Sequence, residues 1–114
     1  MKKYKIMAIL QLTIIPIGTP TPNLGDYILS IQKRLSAMGA TFVLNDMGTL
    51  IEGEATELLQ LVIALYETPF EEGAVRVVTQ ITIDDRRDKK IKIGDKIQSV
   101  IGRSAESELI TNHD

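Results

Sequence analysis

The feature that most constrains the fold is the alternation of apolar and other residues from position 5 to position 15. One set of alternate positions is purely apolar: Ile6, Ala8, Leu10, Leu12 and Ile14. The other set is mixed: Lys5, Met7, Ile9, Gln11, Thr13 and Ile15. Because successive side chains of a β-strand point to opposite faces of a sheet, the segment predicts a strand with one face against a core and the other face less covered.

A second segment with the same kind of alternation spans residues 74–83 and predicts the last strand. The mixed faces of the two strands together form a partly apolar surface: Met7, Ile9, Gln11, Thr13, Val78, Gln80 and Thr82. Because apolar patches left open to water often mark interfaces, we expect this open sheet face, or a sheet edge, to be closed by a second copy of the chain.

Helical spacing of apolar residues defines the elements between and after these strands. The first predicted helix ends at Gly39 and carries Leu24, Ile28, Ile31, Leu35 and Met38. The second predicted helix, which Pro69 should end or bend, carries Leu58, Leu61, Val62, Leu65 and Tyr66. Residues 41–44 and 48–53 are short extended segments and predict a hairpin. A third helix is predicted on Ile97, Val100 and Ile101.

The order of these elements is strand, helix, strand, strand, helix, strand, helix. This order predicts an α+β fold, a ferredoxin-like βαββαβ unit with a four-stranded antiparallel sheet and an additional C-terminal helix. We expect a single domain over residues 1–102, followed by a polar tail over residues 103–114.

Composition excludes several classes of function. The net charge of −2 gives no electrostatic reason to expect a nucleic-acid partner. The sequence has one histidine, His113, and no cysteine, so a His-based triad, a multi-histidine metal site and thiol chemistry are excluded within one chain. The apolar run over residues 6–17 is too short to span a bilayer, so we expect a cytoplasmic protein without a membrane partner.

The segment around Gly48 and Thr49 is the first candidate binding site. Glycine lets another backbone or a guest approach closely. Thr49 offers a hydroxyl that donates or accepts, and Asp46 offers a negative acceptor. This combination suits a small polar molecule better than it suits catalysis. The alternative is structural, with Gly48 forming a bulge and Asp46 terminating a strand.

A run of charged residues, 84–88, is the second candidate. Asp84 and Asp85 are adjacent in a predicted strand and point to opposite faces, so they are poorly placed to share a metal ion. Arg86 and Arg87 beside three carboxylates favour a charge network at a subunit contact. Whether Asp85, Arg86 and Arg87 serve an interface or a ligand stays open, and Asp84 is retained as a possible ligand contact.

The chain resembles the thiamine-binding protein family, a family of small ferredoxin-like proteins. Five stretches carry the resemblance: residues 14–19 (IIPIGT), 47–53 (MGTLIEG), 70–73 (FEEG), 82–89 (TIDDRRDK) and 95–100 (DKIQSV). The resemblance implies homodimers that pair through their sheets and assemble into homotetramers, with thiamine or its hydroxymethylpyrimidine portion as ligand and no further cofactor. Pro69 and the residues after Gly102 depart from the pattern.

For a thiamine ligand, the resemblance gives the first candidate site specific roles. Thr49 and the backbone of Gly48 would read the edge of the aminopyrimidine ring, with Met47 as a polarisable contact. Asp46 would accept from the exocyclic amine or attract the thiazolium cation.

Gln11 and Thr13 share one phase of the first strand. They would line one wall of the site, or they are simply polar residues of the open sheet face. Tyr4, Tyr27 and Tyr66 are candidates for stacking on a ring, although Tyr66 lies on the apolar helical stripe and is interpreted as a core residue.

Taken together, the candidate ligand residues are Gln11, Thr13, Asp46, Met47, Gly48, Thr49 and Asp84. The serines have no histidine to activate them, so we expect a binding protein and not an enzyme. One alternative is a protein-interaction or regulatory module that acts through its sheet face and has a vestigial pocket. A third possibility is an enzyme of thiamine salvage.

Overall fold

The computed structural model describes residues 7–18 and 24–104 of the chain. In these residues the elements follow in the order β1 (Met7–Pro16), α1 (Leu24–Ala37), β2 (Thr41–Asn45), β3 (Gly48–Gly53), α2 (Ala55–Leu65), α3 (Thr68–Glu71), β4 (Val77–Arg86) and α4 (Asp95–Ser104). The four strands of the described residues form one antiparallel sheet in the order β2-β3-β1-β4. The predicted α+β fold with a split βαβ arrangement and a C-terminal helix is confirmed.

The core lies between one face of this sheet and the helices α1 and α2. In β1 the buried positions are Ala8, Leu10 and Leu12, which belong to the purely apolar set of the sequence. They pack in one cluster with the apolar stripes of the two helices, which include Leu35 and Leu65. Burial of this contiguous apolar surface is the main favourable contribution to folding, and it determines which face of the sheet the helices cover.

The other face of the sheet carries the mixed surface that the sequence indicates. Gln11 pairs with Thr82, Thr13 with Gln80, and Ile15 with Val78 across β1 and β4. Side chains of directly opposed residues lie on the same face, so these positions form one continuous open face. Its partly apolar character is therefore a property of the fold and not only of the sequence.

A segment after β4 covers one end of this open face. The backbone N–H of Ile93 donates to Glu52 Oε1 at 3.3 Å, and Lys96 Nζ lies 3.7 Å from Asp84 Oδ2. The side chain of Ile91, within this segment, is buried. The open face is consequently roofed by residues 89–99 near Ile9 and remains accessible near Ile15.

Three boundaries differ from the sequence expectation. β4 begins at Val77 and not at residue 74. Ala74 is buried and its N–H donates to the Pro69 carbonyl at 3.0 Å, so Ala74 belongs to the turn that follows α3. Pro69 lies in the separate short helix α3, after α2 has ended at Leu65. Helix α4 continues to Ser104, two residues past the predicted domain boundary, and residues 105–114 lie outside the described part.

Strand β4 is an edge strand that the helices leave uncovered. Helix α2 contacts β1 and β3, and α1 contacts β2 and α3. Ile81 and Ile83, which point to the helix side of the sheet, are therefore 44% and 36% exposed. A long edge with exposed apolar side chains is a template for pairing with another strand.

Candidate functional site

A cavity of about 160 Å³ lies between α1 and the ends of β1, β2 and β3. We call it the α1 cavity. Its walls are formed by residues 12–15 of β1, residues 44–49 of the hairpin, Pro69 and five residues of α1. The five residues of α1 are Leu24, Tyr27, Ile28, Ile31 and Gln32. Most of these residues are apolar, so the few polar groups among them are conspicuous and would determine how a guest is oriented.

The hairpin turn beside the α1 cavity is held by Asn45. Its side-chain oxygen Oδ1 accepts hydrogen bonds from the N–H groups of Met47 at 2.8 Å and Gly48 at 2.9 Å. An asparagine that bonds to the backbone two and three residues ahead stabilises a tight turn. Asp46 and Met47 consequently form the tip of the hairpin, and the Met47 side chain is 77% exposed at the cavity rim.

Gly48 lies close against β1. A Cβ atom on Gly48 would be 2.7 Å from Thr13 Oγ1 and 2.8 Å from the carbonyl oxygen of Leu12. The Thr13 hydroxyl donates to the Met47 carbonyl at 3.1 Å, which ties the hairpin to β1. The sequence argument identified a close approach at Gly48, and in the structure the approaching group is β1 of the same chain. Pairing of β2 with β3 is unbroken from Asn45–Gly48 onwards, without a bulge at Gly48.

Thr49 and Gln32 form a partly buried polar pair in the α1 cavity. Gln32 Nε2 donates to Thr49 Oγ1 at 2.9 Å, and Thr49 is only 5% exposed. The threonine hydroxyl retains its own proton for donation, and the Gln32 side-chain carbonyl retains its acceptor capacity. A planar ligand that carries both donors and acceptors along one edge would therefore find matching groups here.

Gln32 was not among the residues that sequence reasoning selected. It directly follows Ile31, one of the apolar residues that define the buried stripe of α1. A glutamine next to a buried helical position lies at the margin of the core, where it can reach the sheet. That position is the signal that would have identified it.

Tyr27 supplies an aromatic side chain to the α1 cavity. It is buried on α1 and lines the cavity. Tyr66 does not, since it is half exposed at the end of α2 and its ring lies 6.1 Å from that of Phe70. The interpretation of Tyr66 as a core residue is therefore wrong, and Tyr4 lies outside the described residues.

The seven residues predicted from the sequence divide between two cavities. Five of them line the α1 cavity: Thr13, Asp46, Met47, Gly48 and Thr49. Gln11 and Asp84 line a second cavity of about 530 Å³, between the open sheet face and residues 89–99. We call it the α4 cavity. Gln11 and Thr13 share a face but lie roughly 7 Å apart along the strand. A Cβ atom on Gly48 would lie 3.6 Å from Gln11 Cγ, so Gln11 adjoins the hairpin although it lines the other cavity.

The charged run after β4 forms ion pairs within the chain. Arg86 Nη2 lies 2.9 Å from Asp88 Oδ2, and Arg87 Nη2 lies 2.9 Å from Asp85 Oδ2. Hydrogen bonding to Asp88 raises the pKa of Arg86, and the same hydrogen bond lowers the pKa of the Asp88 carboxyl. The expected arginine–carboxylate pairing is present, and its place at a subunit contact stays a prediction.

Comparison with known proteins places the chain in a family. A model of the thiamine-binding protein family matches residues 10–101, which include all four described strands except the start of β1, and the first seven of the ten residues of α4. The chain belongs to the thiamine-binding protein family. The resemblance inferred from the sequence motifs is thereby confirmed.

Similar proteins of other organisms extend this result. The chain is 48% identical over 98 residues to the UPF0045 protein YqgV of Bacillus subtilis, covering 82% of this chain and 94% of that protein. It is 31% identical over 96 residues to the UPF0045 protein ECM15 of Eremothecium gossypii, covering 84% and 91%. The similarity thus spans a bacterium and a fungus.

Two solved structures share the fold. A hypothetical protein of Methanocaldococcus jannascii matches with a TM-score of 0.72 and 26% identity, over 82% of this chain and 95% of that one. A Thermotoga maritima protein, described as a candidate thiamine biosynthesis or salvage protein, matches with a TM-score of 0.69 and 23% identity, over 82% and 98%. Among the described residues of the chain studied here, no helix has the length and hydropathy needed to cross a membrane.

Proposed function

We propose that this chain binds thiamine, or its hydroxymethylpyrimidine portion, in the α1 cavity without chemically changing it. The observation that carries the proposal is the hydrogen-bonded Gln32–Thr49 pair in a mostly apolar cavity of a chain from the thiamine-binding protein family. The family is described by a ligand and not by a reaction, which agrees with a non-catalytic role.

The chemistry of the aminopyrimidine ring matches the groups in the α1 cavity. The ring is flat, its nitrogen atoms accept hydrogen bonds and its exocyclic amine donates. The Thr49 hydroxyl would donate to a ring nitrogen, and the Gln32 carbonyl would accept from the amine. Tyr27 offers an apolar aromatic wall, and Met47 offers a flexible, polarisable contact at the rim.

The size of the α1 cavity favours one ring over the whole vitamin. Sites for drug-sized ligands measure about 300–1,000 Å³, whereas this cavity measures about 160 Å³. We therefore place the pyrimidine inside and the cationic thiazolium at the rim, where Asp46 supplies negative charge. Thr13 holds the hairpin through the Met47 carbonyl and acts by positioning the rim.

Assembly into a homo-oligomer is part of the proposal. Strand β4 is an uncovered edge of ten residues with exposed Ile81 and Ile83, and its pairing with β4 of a second copy would give a dimer with a continuous sheet. Stacking of two dimers through the accessible part of the open face would then give the tetramer. Such an assembly would buffer, deliver or sense the vitamin in the cytoplasm.

Isothermal titration calorimetry with thiamine and with hydroxymethylpyrimidine tests the ligand. We expect saturable binding by the native protein. Gln32→Ala should bind about tenfold more weakly or worse, because the neutral hydrogen bond from the ligand amine to the Gln32 carbonyl is lost and no longer orients the ligand. Gln60→Ala, the same substitution on the exposed face of α2, is the matched control. No heat with either ligand at millimolar concentration, or equal binding by Gln32→Ala and Gln60→Ala, would contradict the proposal.

A protein-interaction or regulatory module is the second candidate function. The observation that favours it is the outer face of α2, where Leu59 is half exposed and Ile63 is 72% exposed. Residues four apart lie on one face of a helix, so the two side chains form a continuous apolar contact. Recovery of a stoichiometric foreign partner that Ile63→Gln abolishes, together with no response to thiamine, would favour this function.

A further inference from the structure

The α4 cavity is large and lies on the opposite side of the sheet from the α1 cavity. Its floor is the open sheet face around Ile9 and Leu50, and its roof is the segment of residues 89–99. Its volume of about 530 Å³ falls within the range of small-molecule sites. The roof is held at two points, by the Ile93 N–H on Glu52 and by the Lys96–Asp84 contact.

Basic side chains outnumber acidic ones around this cavity. The basic residues are Arg86, Lys89, Lys90, Lys92 and Lys96, and the acidic residues are Asp84 and Asp95. Arg86 is already paired with Asp88, and Lys96 lies beside Asp84. Asp95 accepts from the backbone N–H of Lys92 at 2.9 Å.

The charges of the remaining lysines are less compensated, since the carboxylate with which Lys89 interacts electrostatically, Asp88, is already paired with Arg86. Lys89, Lys90 and Lys92 have no ion-pair partner within residues 7–18 and 24–104. Like charges grouped around a concave surface raise the local concentration of anions. An anionic group is therefore the complement of this rim.

The interior of the α4 cavity is apolar. The floor of the cavity is lined by Ile9 and Leu50 of the sheet, and its roof is lined by Ile91, Ile93 and Ile97. A small inorganic anion would leave these apolar side chains in contact with water. A ligand with a flat or apolar body would cover them, and burial of this apolar surface would favour binding. The rim and the floor together specify a ligand with one strongly acidic group and an apolar body.

We propose that the α4 cavity is a second ligand site, which binds an organic anion with a flat or apolar body through Lys89, Lys90 and Lys92. The site is separated from the α1 cavity by the sheet and does not depend on thiamine binding. The acidic group is a phosphate ester or a carboxylate, which share the same charge-assisted recognition by ammonium groups.

Fluorescence titration with 8-anilinonaphthalene-1-sulfonate (ANS) tests the site, since this probe joins a sulfonate to an apolar body. We expect saturable binding that weakens by about tenfold in Lys90→Gln/Lys92→Gln, because two rim charges are removed. Lys33→Gln/Arg76→Gln removes two exposed charges that do not line the cavity and is the matched control, expected to bind within about twofold of the native protein.

A neutral probe separates charge from general apolar binding. N-phenyl-1-naphthylamine has a similar body without the sulfonate, so its binding should be equal in the two double variants. Competition by 1-naphthyl phosphate and by 1-naphthoate then distinguishes a phosphate ester from a carboxylate. Amide NMR shifts induced by ANS should concentrate at Ile93 and Gly94, which line the cavity.

Several results would overturn the proposal. One is the absence of saturable ANS binding to protein that circular dichroism shows to be folded. Another is an equal affinity for ANS in the two double variants. Displacement of ANS by thiamine, with NMR shifts at Tyr27 and Gln32, would place the probe in the α1 cavity and also refute the second site. The first two results do not bear on whether thiamine itself binds, whereas the third would support thiamine binding in the α1 cavity.

Discussion

Replacement of Gly48 by alanine should destabilise the protein markedly, although the substitution adds only one methyl group. The added Cβ would meet two atoms of β1, Thr13 Oγ1 at 2.7 Å and the Leu12 carbonyl oxygen at 2.8 Å. The threonine hydroxyl can rotate away, at the loss of its hydrogen bond to the Met47 carbonyl. The Leu12 oxygen belongs to the central strand and cannot rotate, so the hairpin itself must move.

The size of the effect follows from the required displacement. To restore an ordinary contact of 3.4 Å, β3 must retreat from β1 by about 0.6 Å at this point. Overpacking of this kind lowers the free energy of unfolding by about 1–3 kcal/mol. The lower conformational entropy of the unfolded alanine chain offsets about 0.4–1 kcal/mol of this loss. Because one of the two contacts is with rigid backbone, we expect a net loss of about 2 kcal/mol.

Two other glycines provide internal controls. At Gly53 a Cβ would lie 3.2 Å from Leu58 Cδ2, the end of a flexible side chain, so Gly53→Ala should cost less. At Gly102, in α4, a Cβ would meet nothing within 4 Å. Alanine is the better helix former by about 0.5–1 kcal/mol, so Gly102→Ala should stabilise the protein.

Urea unfolding of the three variants at one protein concentration measures this order. The fixed concentration matters because self-association would add to the apparent stability. For Gly48→Ala we also expect weaker thiamine binding, since the displaced hairpin carries Met47 away from the α1 cavity. Gly48→Ala unfolding at the same urea concentration as the native protein, with Gly102→Ala stabilised as expected, would refute the close-approach argument.

Three further predictions concern individual polar groups. Thr49→Val should lower stability by about 1–2 kcal/mol in urea unfolding, because the half-buried Gln32 amide loses its acceptor; in a double-mutant cycle with Gln32→Leu the two losses should not add. Thr68→Val should be neutral or stabilise by about 1 kcal/mol in thermal unfolding, because the Thr68 hydroxyl is buried without a hydrogen-bond partner among the described residues. The Asp88 carboxyl should titrate below its usual pKa of 3.8 by NMR, since its ion pair with Arg86 favours the charged form; the pairing is therefore intact above that pH and is lost as the pH falls through the lowered value. Arg86→Gln should raise the Asp88 pKa back towards 3.8, and an unchanged value would contradict the pairing.

The sheet was predictable because its signals are local and repeated. The alternation in β1 identifies the buried face, and Gly39, with a φ of +74°, ends α1 where the sequence indicates. The start of β4 was not predictable, since Val75 and Arg76 continue the alternation of the strand. The chain there is still in the turn after α3, in which the Ala74 N–H donates to the Pro69 carbonyl, and alternation does not encode this turn.

The candidate site was predictable only along the hairpin. Asp46, Gly48 and Thr49 are consecutive or nearly so, and their grouping follows from the turn itself. Gln32 comes from a different element, and its reach to Thr49 depends on how α1 lies on the sheet. The placement of α4 over the open face likewise depends on packing, so the separation of Gln11 from Thr13 was not visible in the sequence.

The position of the α1 cavity follows from the register of the sheet. Thr49 lies opposite Leu12 and therefore points to the helix side, where Gln32 meets it. A slip of one residue between β3 and β1 would turn Thr49 to the open face and bring Gly48 to the position opposite Leu12. The close approach at Gly48 and the Thr13–Met47 hydrogen bond both favour the observed register. The residues that specify the pairing of the strands are thus the same residues that place the polar pair inside the cavity, so substitutions there should alter stability and ligand affinity together.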